Sequence, residues 1–200
     1  EDDDPATAGR QIFIVMEFIE GNSLRDMLTA NRLLPTADSI NIIAQIAEGL
    51  SKAHQAEIVH RDIKPENILI DTEGRVKILD FGLAKLKGVT KLTKDSSTLG
   101  TIHYMSPDQL RGVEVDQRSD IWSLGVVFYE MLAGDVPFKG DYDQAVAYSI
   151  HNEVLEPIPY ITPEHNGLLS KLLAKEPKHR FQSLGEVTDA LREKKGPKES

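Results

Sequence analysis

The segment "IWSLGVVFYEMLAG", from Ile121 to Gly134, constrains the fold more than any other part of the chain. Its side chains are apolar nearly all round a helix, so a helix here must be enclosed by other elements of the same domain. A membrane span needs roughly 18 or more apolar residues in a row, and no run in this sequence is that long. We therefore predict a buried central helix over residues 120–133.

Shorter patterns outline the rest of the fold. The segment "TADSINIIAQIAEGLSKAH", residues 36–54, sets apolar residues at helical spacing, which predicts an amphipathic helix capped by Thr36 or Asp38. "QIFIVMEF", from Gln11 to Phe18, is an apolar run rich in β-formers and predicts a strand. Further amphipathic helices are predicted near residues 143–151, 164–174 and 183–194. The expected fold is mainly α, with a minor β element (α+β).

That β element includes a predicted hairpin. The runs "ILI" (68–70) and "VKIL" (76–79) are joined by "DTEGR", a loop rich in turn-forming residues. Asn67 immediately precedes the first run, and Asp80 immediately follows the second. Because an antiparallel pair returns to the end from which it started, we expect Asn67 and Asp80 to lie close together.

The residues gathered at this end predict a phosphoryl-transfer site. Asp62 and Lys64 lie a few residues upstream of the hairpin. Aspartate and asparagine oxygens are hard ligands that suit Mg²⁺, so Asn67 and Asp80 together predict a metal site. Asp62 can accept a proton from an alcohol, and the positive charge of Lys64 can follow a transferring phosphoryl group. Taken singly, each residue also has a plain structural interpretation as a strand end, a turn or a solvated charge.

Composition and charge exclude several other classes of function. The chain has 200 residues, no cysteine and a formal net charge of -9. This length suits one domain, and the absence of cysteine excludes disulfides and thiolate metal sites. Phosphate contacts need clustered Lys and Arg, so the acidic balance argues against a nucleic-acid partner. The acidic opening "EDDDPATAGR" lacks the basic and apolar regions of a secretory leader.

Five ordered motifs resemble one protein family. "HRDIKPEN" resembles the catalytic loop of eukaryotic-type serine/threonine protein kinases, "DFG" their metal-binding turn, and "YMSPDQL" their A-P-E region. "RSDIWSLGVVFYEMLAGDVPF" is similar to their buried helix, and "KHRF" to the arginine-bearing segment near the end of the domain. Among the members of this family, the bacterial kinases are the most similar. The resemblance implies a kinase C-lobe over residues 11–192, with an N-terminal hinge strand, between a loop at 1–10 and a polar tail at 193–200.

The resemblance assigns roles in catalysis by position. Asp62 is implied as the base for the substrate hydroxyl, Lys64 as the contact to the transferring phosphate, and Asn67 and Asp80 as the Mg²⁺ ligands. ATP is the implied phosphoryl donor, and Lys at this loop position resembles Ser/Thr rather than Tyr specificity. The implied nucleotide-binding residues are Met16, Glu17, Phe18, Ile19, Ser23, Glu66 and Leu69. Met16, Ile19 and Leu69 are also suited to ordinary core packing.

The resemblance also implies regulation and support of the site. A phosphate on Ser97 or Thr98 would pair with Arg61 and Lys85 and order the loop between the DFG turn and the A-P-E region. Ser and Thr are also simply common in loops. Four further residues have implied structural or substrate-loop roles: Thr101 touches the catalytic Asp and Lys, Asp120 accepts backbone hydrogen bonds from the catalytic loop, and Asp108 forms a buried ion pair with Arg180. Asp108 stands where the family has Glu, so we expect a somewhat looser pair.

The sequence departs from the family pattern in what precedes the hinge strand. It contains no G-x-G-x-x-G loop and no V-A-I-K strand, so we expect a fragment without the N-lobe, weakly active or inactive by itself. The expected partners are Ser/Thr-containing protein substrates and that missing lobe, with no membrane contact from this segment. The resemblance implies a cytoplasmic kinase domain, and many similar bacterial kinases are anchored through a distant membrane helix. Two alternatives remain open, namely a non-catalytic interaction module and a metal-dependent hydrolase.

Overall fold

The computed structural model describes residues 17–81, 101–113 and 115–193. Within these ranges the chain forms seven α-helices and one small antiparallel sheet, which confirms the mainly α prediction. The helices are α1 (Leu24–Asn31), α2 (Thr36–Gln55), α3 (Pro107–Arg111), α4 (Arg118–Ala133), α5 (Asp143–Asn152), α6 (Pro163–Leu172) and α7 (Leu184–Glu193). The strands are β1 (Gly21–Ser23), β2 (Ile68–Asp71) and β3 (Val76–Ile78), and short 3₁₀ helices span Pro65–Asn67, Thr101–Tyr104 and Pro177–His179.

Helix α4 is the centre of the core, as its uniformly apolar sequence predicts. Most of its side chains are buried, including Trp122 and Phe128. The indole of Trp122 stacks on the ring of Phe138, with 5.6 Å between ring centroids. Gly134 ends the helix in the left-handed conformation, and its N–H donates to the Glu130 carbonyl over 2.8 Å. Across the described ranges, no helix combines the length and apolar composition needed to cross a membrane.

Helix α2 is the predicted amphipathic helix, and its apolar face packs against α7 and α4. The predicted N-cap is wrong. The N-cap position is Pro35, and no side chain caps the first turn. A capping side chain must precede the helix, whereas Thr36 and Asp38 already lie inside its first turn. Asp38 still places a negative charge near the N-terminus, where the helix dipole favours it.

The sheet has the order β1-β2-β3 with antiparallel pairing, and β2 and β3 form the predicted hairpin. The predicted strand at Gln11–Phe18 is not found where it can be observed, because Glu17 and Phe18 are not in a strand and residues 11–16 lie outside the described ranges. The third strand is instead the polar segment Gly21–Ser23, which pairs with β2. Gly21 approaches β2 so closely that a Cβ there would lie 2.1 Å from the Ile70 carbonyl oxygen. This strand forms because the two backbones approach closely at Gly21, and its sequence has no apolar pattern from which it could be predicted.

The close contact between α4 and α6 gives a test of the packing. A Cβ on Gly125 would lie 2.8 Å from the Leu172 Cβ and 3.0 Å from the Leu173 Cδ2. We expect Gly125→Ala to lower the free energy of unfolding by about 2 kcal/mol, because these atoms belong to buried side chains with no room to move. Urea unfolding followed by circular dichroism measures the change.

Gly167 in α6 is the matched control, since a Cβ there meets nothing within 4 Å. Gly167→Ala should raise the free energy of unfolding by up to about 1 kcal/mol through helix propensity alone. Equal effects of the two substitutions would contradict the close α4–α6 packing.

Candidate active site

Two polar side chains, Lys64 and Asn67, converge on the carboxylate of Asp62. The Lys64 Nζ lies 3.0 Å from Asp62 Oδ2. The Asn67 amide nitrogen donates to the same Oδ2 over 3.2 Å and to the Asp62 backbone carbonyl over 2.7 Å. Lys64 also donates to the Thr101 Oγ1 over 3.2 Å. The Asp62 side chain is 38% exposed, so this carboxylate is held in place and still open to a substrate.

The hairpin brings Asn67 and Asp80 to one end of the sheet. The Leu79 N–H donates to the Asn67 carbonyl over 2.9 Å, which extends the β2–β3 pairing to the residue before Asp80. Asp80 itself is exposed and has a left-handed φ of 60°. This conformation costs a non-glycine residue on the order of 1 kcal/mol and is typical of functional turns.

The donor atoms at this end fit Mg²⁺. The amide nitrogen of Asn67 is engaged by Asp62, so its oxygen is the atom left for a ligand. Within the described ranges no three His, Cys, Asp or Glu side chains cluster as a metal cage. One amide oxygen and one carboxylate, from Asn67 and Asp80, suit a metal ion that keeps several waters and binds substrate phosphates.

The loop that carries Asp62 is fixed to the core by Asp120. This fully buried carboxylate of α4 accepts hydrogen bonds from the backbone N–H groups of His60, over 2.9 Å, and Arg61, over 2.8 Å. The His54 Nε2 lies 2.8 Å from the same carboxylate. Arg61 has a φ of 70°. Asp120 therefore holds the loop in a strained conformation, one residue before Asp62.

His60 links the loop to the turn that carries Asp80. Its Nε2 donates to the Leu79 carbonyl over 2.7 Å, and its Nδ1 accepts from the Asp62 N–H over 3.3 Å. This pairing places a ring proton on Nε2. The ring also meets the edge of Phe81, with 4.8 Å between centroids. His60 thus joins the segments that present Asp62 and Asp80.

The implied ion pair between Asp108 and Arg180 is present and direct. The Arg180 Nη1 lies 2.8 Å from Asp108 Oδ2, and the Arg180 side chain is fully buried. Burial lowers the pKa of Arg180 below its usual value, and Asp108 opposes that effect. Arg180 also donates to three backbone carbonyls, those of Ala174, Lys175 and Arg118. The shorter Asp therefore still makes direct contact with its arginine.

The described residues implied in nucleotide binding lie in three places: Glu17, Phe18 and Ile19 precede β1, Ser23 and Leu69 lie on β1 and β2, and Glu66 lies in the 3₁₀ helix before β2. Phe18 is 90% exposed, and Glu17 lies 3.6 Å from the Lys77 ammonium. Ile19 and Leu69 are half-buried, and Leu69 pairs with Ser23 across the sheet. Met16 of the nucleotide-binding set lies outside the described ranges. So do Lys85, Ser97 and Thr98, which the resemblance assigns to the phosphorylation switch.

Two side chains of the nucleotide set are already engaged by protein groups. The Ser23 hydroxyl accepts from the Asp26 N–H and donates to the Asp26 carboxylate, forming a capping box at the start of α1. The Glu66 carboxylate accepts from the Arg25 Nε over 2.7 Å. Neither contact appears in the sequence-based interpretation, although "SLRD" has the spacing of a capping box.

Sequence reasoning also misses two sets of supporting contacts. Ser106 and Gln109 form a capping box for α3, and the Gln109 side chain donates to the Arg61 carbonyl over 2.8 Å. The S-x-x-Q spacing is the local signal for this box. The second set joins Arg25 to Glu130 and Tyr104. Its members are distant along the chain, so no local pattern indicates it.

Comparisons with known proteins identify what this arrangement is similar to. The model of the protein kinase domain matches residues 4–193. The serine/threonine-protein kinase PrkC of Bacillus subtilis (strain 168) is 40% identical over 176 residues, which are 86% of this chain and 27% of that protein. PknB of Mycobacterium leprae (strain TN) is 40% identical over 188 residues, covering 90% of this chain and 30% of that kinase. PknA of Corynebacterium glutamicum is 43% identical over 189 residues, covering 94% and 40%. The chain thus spans well under half the length of these curated relatives.

The buried pair of Asp108 and Arg180 gives a stability test. Asp108→Ala leaves the Arg180 guanidinium buried without its carboxylate, and we expect the free energy of unfolding to fall by about 3 kcal/mol. The three carbonyl acceptors of Arg180 keep the loss near the lower end for a broken buried pair. Urea unfolding at neutral pH measures it.

Asp135→Ala is the matched control, because Asp135 and Lys139 form an exposed pair with an N–O distance of 2.7 Å. An exposed pair contributes less than about 1 kcal/mol. If both substitutions lower the free energy of unfolding by the same small amount, the buried pair of Asp108 and Arg180 matters no more to stability than an exposed pair.

Proposed function

The chain belongs to the protein kinase family, and from that premise we propose that it transfers the γ-phosphoryl group of ATP to serine and threonine hydroxyls of proteins, with Mg²⁺ as the metal. The observation that carries the proposal is the convergence of Lys64 and Asn67 on the Asp62 carboxylate. The similar bacterial proteins are named serine/threonine-protein kinases, which supports this class of acceptor. A cytoplasmic site of action is part of the proposal, because ATP is the donor.

Asp62 acts in this proposal as the general base. Within the described ranges, both side-chain donors to its carboxylate bind Oδ2, so Oδ1 is open to a substrate hydroxyl. The carboxylate is part-exposed and its loop is anchored, so it can orient that hydroxyl and take its proton as the phosphoryl group leaves ATP.

Lys64 supplies positive charge where negative charge moves. Its ammonium has three N–H donors, of which one serves Asp62 and one serves Thr101. The third is available to an oxygen of the transferring phosphoryl group. Thr101 in this scheme orients Lys64 and lines the approach of the substrate. Its hydroxyl is engaged in that contact, which favours an orienting role over phosphorylation.

The Asn67 oxygen and the Asp80 carboxylate are proposed to hold Mg²⁺, which neutralises charge on the phosphate oxygens when it is bound. The adenine and ribose are proposed to lie along the edge formed by residues 17–19, Ser23 and β2, and Met16 is proposed to take part in binding them. The 90% exposure of Phe18 and the half-buried position of Leu69 support an accessible apolar strip there. The Ser23 and Glu66 side chains would have to share their present partners with the ribose.

Phosphorylation of Ser97 or Thr98 is proposed as a switch, with Arg61 and Lys85 as the groups that pair with the phosphate. Support comes from the backbone of Arg61, whose N–H is held by Asp120 and whose carbonyl is held by Gln109. Because this backbone is fixed, the Arg61 side chain starts from a defined position next to Asp62. A phosphate paired with it would add charge-assisted hydrogen bonds at the site.

The test of the proposed function is the substitution Asp62→Asn in the natural protein that carries these residues. With γ-labelled ATP, Mg²⁺ and peptides that differ only in a Ser, Thr or Tyr acceptor, we expect labelling of Ser and Thr. The substitution should lower that labelling by about 10² to 10⁴, the usual contribution of a general base. Asp189→Asn, on the exposed face of α7, is the control and should label normally.

Other outcomes favour the remaining interpretations. Release of labelled phosphate without labelled peptide would indicate a hydrolase in which water is the acceptor. If the wild type labels no peptide, and Asp62→Asn leaves partner binding and cellular phenotype intact, the protein is an interaction module and the proposed function is wrong.

A further inference from the structure

A single guanidinium beside the site joins three polar side chains. Arg25 lies in the first turn of α1, and its Nε donates to Glu66 Oε1 over 2.7 Å. Its Nη1 donates to Glu130 Oε1 over 2.7 Å, and its Nη2 donates to the Tyr104 hydroxyl oxygen over 2.6 Å. The Tyr104 hydroxyl donates in turn to Glu130 Oε2 over 2.6 Å. Each of the three guanidinium nitrogens, and the Tyr104 hydroxyl, therefore donates to an acceptor within one closed network.

Each partner belongs to an element that bears on the proposed chemistry. Glu66 lies in the 3₁₀ helix that ends at Asn67, and Tyr104 ends the 3₁₀ helix that begins at Thr101. Glu130 lies on the core helix α4. Arg25 thus ties the turn that carries Asn67 and the turn that carries Thr101 to the same rigid helix.

Arg25 stays charged and Tyr104 stays neutral in this network near neutral pH. Burial alone would lower the pKa of Arg25, but its contacts with Tyr104, Glu130 and Glu66 raise that pKa above its usual value. Burial first, and Glu130 second, raise the pKa of Tyr104, so it remains a neutral hydroxyl that donates to Glu130. Glu130 is only 9% exposed, so without Arg25 its negative charge would be largely buried and poorly compensated.

Arg25 is not needed to dock α1 on the protein. The helix is anchored by Leu24 and Leu28, whose side chains are buried in the core. Its first turn is capped by Ser23. Arg25 itself points along a different direction from these anchors, to partners outside α1. Its contacts therefore have their main effect on the two turns.

We propose that Arg25 is a positioning residue, which fixes the 65–67 turn relative to the 101–104 turn so that Asn67 and Thr101 meet Asp62 and Lys64 in a productive arrangement. The proposal rests on the proposed phosphoryl-transfer function. Its action is indirect, because Arg25 touches neither Asp62 nor Lys64. A planar fork with three engaged nitrogens can hold three partners at fixed spacing, which a single ammonium cannot do.

The test, in the natural protein that carries these residues, uses Arg25→Met, which keeps much of the apolar stem and removes the guanidinium. We expect kcat to fall about 10-fold to 100-fold, because misplacement of the turns weakens interactions made in the transition state. Arg25→Lys keeps the charge but not the fork, so an intermediate kcat is expected. Arg192→Met is the matched control, since Arg192 meets Glu48 in an exposed pair at 3.1 Å, and its kcat should equal that of the wild type.

A readout independent of catalysis is amide hydrogen exchange in the two turns. The Asn67 N–H is bonded to the Lys64 carbonyl over 3.0 Å, and the Met105 N–H to the Ile102 carbonyl over 3.1 Å. In Arg25→Met these two amides should exchange at least about 10-fold faster, while amides of α2 and α7 keep their wild-type rates. Uniform acceleration over the whole chain, or unchanged rates in the turns, would overturn the proposal.

The double substitution Arg25→Met with Glu130→Met separates positioning from stability. Removing the buried carboxylate should restore the Tm that Arg25→Met lowers, while kcat stays low. Recovery of kcat together with Tm would reduce Arg25 to a merely structural residue and overturn the proposal. If the wild type transfers no phosphoryl group, the proposed function fails separately, and the exchange rates of the turns alone decide whether Arg25 positions them.

Discussion

The buried carboxylate of Asp120 is the interaction on which the rest of the site depends. It sits in the first turn of α4, inside the apolar core, and binds two successive backbone N–H groups of the loop that leads to Asp62. A carboxylate buried without partners would cost several kcal/mol, so these hydrogen bonds and the contact with His54 are obligatory for the fold. The same bonds hold Arg61 in its left-handed conformation. One residue thus makes the stability of the core and the shape of the loop that leads to Asp62 interdependent.

Two further polar anchors join the site to α4, and they lie at opposite ends of that helix. Near its start, Arg180 binds the Arg118 carbonyl and covers the Trp122 ring while it holds Asp108. Near its end, Glu130 binds Arg25 and Tyr104. Loops that carry functional residues gain precision when a rigid element supports them. In this chain the rigid element is one apolar helix, and each loop reaches it through a buried charge.

The sequence predicts the parts of this fold that local pattern controls. The uniformly apolar run identifies α4, and the two short runs around "DTEGR" identify the β2–β3 hairpin, from which the nearness of Asn67 and Asp80 follows. The strand Gly21–Ser23 escapes prediction because its polar residues have no β pattern and its pairing depends on close backbone approach. The predicted N-cap of α2 fails for a similar reason, since the boundary lies one residue earlier, at a proline.

The candidate site likewise has residues that local sequence predicts and residues that it does not. The residues nearest the proposed chemistry, Asp62 to Asn67, are contiguous and carry a family motif, so the sequence alone predicts that they lie together. Their supports are not: Arg25 and Glu130 are separated by 105 positions, and Asp108 and Arg180 by 72. Such pairs contribute little net stability over apolar replacements, while removing one partner is costly. The buried charges around α4 are therefore best explained by their effect on the loops, which they hold in one geometry. Because this effect depends on contacts between distant residues, no local window of sequence predicts it.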